Sequence, residues 1–132
     1  MVTLSFTSLV VPDPVRSSAF YEDVFGLAEV TELTSAWFRG LHLGGIVLGF
    51  SHPHAYELLG LAEPPPGTDA VRTFLTFEAA SEAEVDALTR RATDRGAVLA
   101  AGPGRTYYGA WQSVLLDPDG HAFRINHLRL GS

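Results

Sequence analysis

A chain of 132 residues, 46% hydrophobic and 18% charged, has the composition of one ordinary globular domain, large enough to bury a core but too small for two independently stable ones. Its formal charge of −6 argues against a general affinity for nucleic acid, which relies on clustered basic side chains, and the absence of cysteine removes disulfides, thiolate nucleophiles and cysteine metal sites. Apolar runs such as Ile46-Val47-Leu48-Gly49-Phe50 fall far short of the roughly 20 residues a membrane span needs, and no basic segment followed by an apolar stretch opens the chain, so a cytoplasmic protein with no membrane or nucleic-acid partner is expected.

In chain order, the alternating run Phe6-Thr7-Ser8-Leu9-Val10-Val11 predicts a first strand over about 4–11. Asp13-Pro14 then supplies a helix N-cap with proline at the first helical position; Phe20 and Val24 share a face, and Gly26 is placed to stop the helix. Short strands are expected near 28–33, 35–39 and 45–50, with Gly44-Gly45 as the clearest turn. A short helix near 55–61 is followed by Pro64-Pro65-Pro66-Gly67, which neither continues a helix nor occupies a central strand, so residues of about 61–70 read as a linker.

The pattern then restarts. Phe74 lies in Phe74-Leu75-Thr76-Phe77-Glu78, and seven residues later Ser81 opens a helix through the capping box Ser81-Glu82-Ala83-Glu84, as Asp13 does seven residues after Phe6. The offset is 68 in both cases (74 minus 6, 81 minus 13), which marks an internal repeat. Val71, Thr73, Leu75 and Phe77 point to one face and Arg72, Phe74, Thr76 and Glu78 to the other. Val85, Leu88 and Ala92 form the expected buried stripe of the helix, which Gly96 ends, and strands near 97–100, 105–115 and 121–127 follow, the last after the turn Asp117-Pro118-Asp119-Gly120. The expectation is a single α+β domain: module one about 1–60 and module two about 71–132, each βαβββ.

Two segments carry a resemblance. Val11-Pro12-Asp13-Pro14 leading to Phe20-Tyr21-Glu22-Asp23-Val24-Phe25-Gly26-Leu27, and Asp117-Pro118-Asp119-Gly120-His121 leading to Phe123-Arg124-Ile125, resemble the vicinal oxygen chelate superfamily, the glyoxalase/bleomycin resistance/dioxygenase group. The resemblance implies two tandem modules forming a curved mixed sheet around a cleft. It also implies a divalent metal, held by a histidine or glutamine on the first strand of each module and a glutamate or similar residue on the last. Carried over by spacing, those four positions are Phe6, Gly49, Phe74 and Arg124. Phenylalanine and glycine offer no donor and arginine is a permanent cation, so no metal and no cofactor is expected.

Histidines 42, 52, 54, 121 and 127 are read as solvated loop residues, although His52-Pro53-His54 has the spacing of a ligand pair. No Gly-x-Ser-x-Gly, Ser-His-Asp or paired-carboxylate pattern suggests catalysis, and Glu78 at a strand end reads as solvated more readily than as a base. Phe20, Phe25, Phe77 and Phe123 fall on helix-facing stripes. Phe6 and Phe74 face the other way, while Trp37, Tyr107, Tyr108 and Trp111 fit either pocket or packing, because a one-residue slip reverses every face. The candidate ligand-binding set is therefore Phe6, Trp37, Phe50, Phe74, Tyr107, Tyr108 and Trp111, with Gln112 and Arg124 as polar anchors. Such a set suits a flat, partly anionic or hydroxylated polycyclic molecule. By resemblance to the metal-free antibiotic-binding branch of the superfamily, the expected function is sequestration of an aromatic natural product by a homodimer. The alternative is a superfamily enzyme (lyase, isomerase or hydrolase) acting on a small metabolite, and a weaker one is an accessory subunit that binds another protein.

Overall fold

The computed structural model describes residues 1–67 and 71–128, so the end of the expected linker and the last four residues lie outside the described part. The chain divides into two compact units, Met1–Asp69 and Ala70–Ser132. No helix among the described residues is long and apolar enough to cross a membrane.

In the first unit, β1 (Phe6–Val10) leads to α1 (Pro14–Phe25), and β2 (Phe38–Leu43) and β3 (Ile46–Ser51) form a hairpin before a short α2 (His54–Leu59). The sheet order is β1-β3-β2, with β1 parallel and β2 antiparallel to β3. Helix α1 starts as its sequence dictates: the Asp13 side chain accepts from the Val15 and Arg16 amides at 3.1 and 3.2 Å, and Pro14 has no amide to leave unpaired. It stops at Gly26, whose φ of 66° is a left-handed conformation that glycine adopts without steric cost. Phe20, Tyr21 and Val24 on the buried face of α1, with Leu41, Leu48 and Phe50 from the sheet, make the core of this unit.

Two strand expectations change here. The strand expected near 28–33 reduces to a single antiparallel bridge between Glu29 and Leu41, followed by a 3-10 turn at Thr31–Leu33. Thr34 donates its hydroxyl to the Glu29 carboxylate at 2.9 Å, which turns the chain away before a ladder can extend. The strand expected near 35–39 runs instead from Phe38 to Leu43, because pairing across Gly44-Gly45 matches Leu43 to Ile46 and fixes the register from the turn outward.

The second unit is the complete βαβββ arrangement: β4 (Leu75–Glu78), α3 (Glu82–Asp94), β5 (Val98–Arg105), β6 (Trp111–Leu116) and β7 (Ala122–His127), in the order β4-β7-β6-β5. The capping box forms, with Ser81 accepting from the Glu84 amide and Glu84 from the Ala80 amide, both at 3.1 Å. Asp117 ties the last turn by accepting from the Asp119 and His121 amides at 2.9 Å. The buried stripe of α3 is Val85, Thr89 and Ala92, with Leu88 only half-buried.

Thr89 is accommodated by hydrogen bonding. Its hydroxyl donates to the Val85 carbonyl at 2.6 Å, which leaves the fully buried Ser113 hydroxyl as the donor in the 2.7 Å bond between the two side chains. Thr89→Val should therefore destabilise the protein by about 1–3 kcal/mol, the cost of orphaning a buried hydroxyl. The double variant with Ser113→Ala should recover most of the loss in urea unfolding; an additive loss would refute the coupling.

Candidate functional site

Strand register shows which residues of the two units correspond. Ser8 in β1 is aligned with Gly49 in β3, and Thr76 in β4 with Arg124 in β7; Thr76 follows Ser8 by the repeat offset of 68 (76 minus 8), so Gly49 and Arg124 are counterparts. One step further, Phe38 lies opposite Ser51 and Gln112 opposite Asn126, which makes Phe38 and Gln112 counterparts as well. The two halves thus build different chemistry on one frame.

In the second unit the frame carries a polar cluster on an aromatic ring. The Arg124 guanidinium carbon lies 4.9 Å from the centroid of Phe74, a ring that is 55% exposed. Arg124 Nε donates to Thr76 Oγ1 at 2.9 Å, and Nη1 donates to Gln112 Oε1 and to the Tyr108 hydroxyl, both at 3.2 Å. The Tyr108 hydroxyl passes its own proton to Gln112 Oε1 at 2.8 Å. Four of the predicted residues (Phe74, Tyr108, Gln112 and Arg124) therefore meet in one place. Thr76 was not among them, although the alternation that brings Phe74 to this face brings Thr76 with it.

The corresponding place in the first unit is filled by the chain itself. Phe6 and Phe38 lie 6.3 Å apart, and the Phe38 ring covers the paired glycines Gly40 and Gly49. A Cβ on Gly49 would stand 2.8 Å from the ring carbons Cε2 and Cζ and 2.6 Å from Ser8 Oγ. Phe6 keeps 42% exposure at the edge of this packing.

The other predicted residues lie elsewhere. Phe50 is fully buried 5.3 Å from Tyr21, on the face toward α1; it belongs to the core and not to a ligand face, since adjacent strand residues point oppositely and Gly49 takes the other side. Trp111 likewise lies on the helix side of its sheet: its Nε1 donates to Asp86 of α3 at 2.8 Å, and Arg105, paired to Glu82 at 2.7 Å, lies 5.2 Å from its ring. Tyr107 and Tyr108 are not on a strand but in the turn between β5 and β6, where Thr106 donates to the Ala110 carbonyl; Tyr107 is fully exposed and edge-on to Tyr108. Trp37 packs 4.8 and 4.7 Å from His52 and His54, lining an open groove of about 430 Å³ with Tyr56, Glu57 and Leu61.

Glu78 is not a solvated base in waiting, because Oε1 accepts from Asn126 Nδ2 at 2.8 Å and Oε2 from the Leu128 amide at 2.7 Å. Glu22 on α1 is held above the ordinary carboxylate range, by burial first and then by the neighbouring charges of Glu29 and Asp23, but it belongs to the first unit and takes no part in the Arg124 cluster.

A divalent metal does not fit these residues. The four positions to which the resemblance assigns ligands hold two phenylalanines, a glycine roofed by a third phenylalanine, and a cation stacked on a ring, and none has a lone pair for a metal. Among the described residues no three His, Asp or Glu side chains converge in a ligating group.

Comparison with known proteins places this arrangement. The family model for the Glyoxalase/Bleomycin resistance protein/Dioxygenase superfamily matches residues 3–125. Among solved structures, a glyoxalase/bleomycin resistance protein/dioxygenase family enzyme from Burkholderia phytofirmans PsJN is 37% identical, with a TM-score of 0.90 over 97% of this chain and 100% of that one. A glyoxalase-related enzyme from Fulvimarina pelagi (23% identity, TM-score 0.85, 100% and 94% covered) and a lactoylglutathione lyase from Agrobacterium tumefaciens (24%, 0.70, 95% and 92%) share the fold. No curated protein sequence matches the chain.

Proposed function

Because the chain belongs to the Glyoxalase/Bleomycin resistance protein/Dioxygenase superfamily yet carries no ligating side chain at that fold's metal positions, we propose that it is a metal-independent small-molecule-binding protein. It holds a flat aromatic natural product of the antibiotic class and protects the cell by lowering the free concentration of the compound. The observation that carries this reading is the Phe74–Arg124 stack: a half-exposed ring with a guanidinium held over it by three neutral acceptors, Thr76, Tyr108 and Gln112. Stacking on such a platform gives affinity without any bond-making step. The same reading includes self-association into a homodimer, which sedimentation of the purified chain would reveal.

Calorimetric titration with a panel of polycyclic aromatic antibiotics tests the proposal. Saturable binding by at least one class is expected, and Phe74→Ala should weaken it by about 1–3 kcal/mol, the cost of losing a stacked ring. Unchanged affinity in a folded Phe74→Ala protein would remove the platform from the site. A second reading, turnover on the same platform, is favoured by the description of the Burkholderia protein as an enzyme. Mass analysis of the recovered ligand separates the two, since sequestration returns the compound unaltered.

A further inference from the structure

We propose that Arg124 is the receptor for a carboxylate on the bound molecule, so that the ligand is an aromatic acid held once per chain. The inference rests on the binding reading above and narrows it to a chemical class.

Arginine has five N–H donors. In Arg124 the Nε–H goes to Thr76 and the two on Nη1 go to Tyr108 and Gln112, so the two on Nη2 have no acceptor among the described residues. Every acceptor it has is neutral. The Tyr108 proton is already committed to Gln112, so the hydroxyl can only receive from Arg124, and the network fixes the guanidinium without discharging it. Among the described residues no carboxylate pairs with Arg124. Glu78, placed by register two residues beyond Thr76 on the same face, accepts from Asn126 Nδ2 and the Leu128 amide and has no bond to Arg124 among the described residues. Arg39 and Arg105, by contrast, have Glu29 and Glu82.

A half-buried, immobilised cation without a counter-charge is costly in the free protein and favourable once an anion arrives. The open donors sit on one nitrogen and diverge, so they offer a single charge-assisted bond and not a two-pronged fork; next to the Phe74 ring that suits a singly charged carboxylate coplanar with a stacked aromatic system, a geometry that a tetrahedral phosphate cannot take. Because the guanidinium is already oriented, little side-chain entropy is lost when a charge-assisted bond forms. The first unit has no equivalent receptor: Gly49 stands in place of Arg124, Phe38 in place of Gln112, and the Phe38 ring fills the space. One receptor per chain follows.

The test is calorimetric titration of the full chain with three probes of one shape: 2-naphthoate, neutral 2-naphthamide and 2-naphthyl phosphate. The expected result is one naphthoate per chain, bound roughly tenfold tighter than naphthamide, the scale of one charge-assisted hydrogen bond. That preference should vanish in Arg124→Leu and mostly vanish in Arg124→Lys, which keeps the charge but not the donors that tie Arg124 to Thr76, Tyr108 and Gln112. The wild-type comparison of acid with amide needs no variant and stands even if one fails to fold. Equal binding of acid and amide, or a preference that survives in folded Arg124→Leu, overturns the proposal; naphthyl phosphate binding tightest overturns the carboxylate assignment. If neutral polycyclic compounds bind while naphthoate does not, the inference fails and the binding reading stands; if nothing aromatic binds, both fail.

Discussion

Phe50→Ala is expected to remove about 3–5 kcal/mol of stability, as large buried aromatic truncations do, while leaving ligand affinity of the folded protein unchanged. The ring is 0% exposed in β3, between Leu9 of β1 and Arg39 of β2, and lies 5.3 Å from the ring of Tyr21, which is itself buried on α1. Truncation leaves a cavity at the junction of helix and sheet, and the neighbours Leu41 and Leu48, both 0% exposed, are held by their own strands and cannot collapse into it. Urea unfolding should show a lower midpoint with the slope little changed. A loss below about 1 kcal/mol would mean that Phe50 is not part of the core, since a change that small is typical of surface positions. Phe50→Leu should cost clearly less, because it refills much of the volume.

Phe50 also illustrates what sequence could and could not resolve. The second module is legible where its signals are local: the 68-residue offset, the Ser81 capping box, the alternation through Phe74, Thr76 and Glu78, and the turn at Asp117 form as expected, whereas the strands expected near 97–100 and 105–115 are Val98–Arg105 and Trp111–Leu116 with a turn between them. The first module is harder because its register is set from the Gly44-Gly45 turn, not from the aromatic run. Counting back from that turn places Phe38 at the start of a strand and opposite Ser51, whereas centring the strand on Trp37 and Phe38 shifts it by three residues.

The site follows the same rule. Phe74 and Arg124 could be found from the repeat and the turn alone, but the contribution of Gln112 depends on cross-strand pairing with Asn126, and that of Tyr108 on a turn that folds back toward Arg124. Trp111 and Gln112 are adjacent in β6 and point oppositely, so Trp111 faces α3, where it lines an open groove of about 380 Å³ with Asp86, Thr89 and Leu99, while Gln112 faces Arg124. Gly49 and Phe50 pose the same conflict, and assigning both to one face was not physically possible.

Gly49→Glu, which returns a carboxylate to a position where the fold ordinarily keeps one, should destabilise the protein by about 3 kcal/mol or more and create no metal site. Gly49 lies in the middle strand of its sheet, flanked by Ser8 and Gly40, and even a methyl group there would press on Phe38 at 2.8 Å. A longer, charged side chain must expel the Phe38 ring, break its contact with Phe6 and crowd the Ser8 hydroxyl. Adding Phe38→Ala should restore part of the lost stability, because the ring is the principal obstruction; Gly49→Ala alone should show a smaller loss of the same origin. Neither Ni²⁺ nor Zn²⁺ should raise the melting temperature of Gly49→Glu, since a metal that binds only the folded state stabilises it by mass action and neither Phe6 nor Phe38 adds a donor to a lone glutamate. Wild-type stability in Gly49→Glu, or a metal-dependent rise in its melting temperature, would show that Phe38 does not close this position. The expected outcome makes Phe38 the reason that the first unit cannot regain a ligand by one substitution, and it leaves the Arg124 cluster as the part of the repeated frame on which the proposed binding rests.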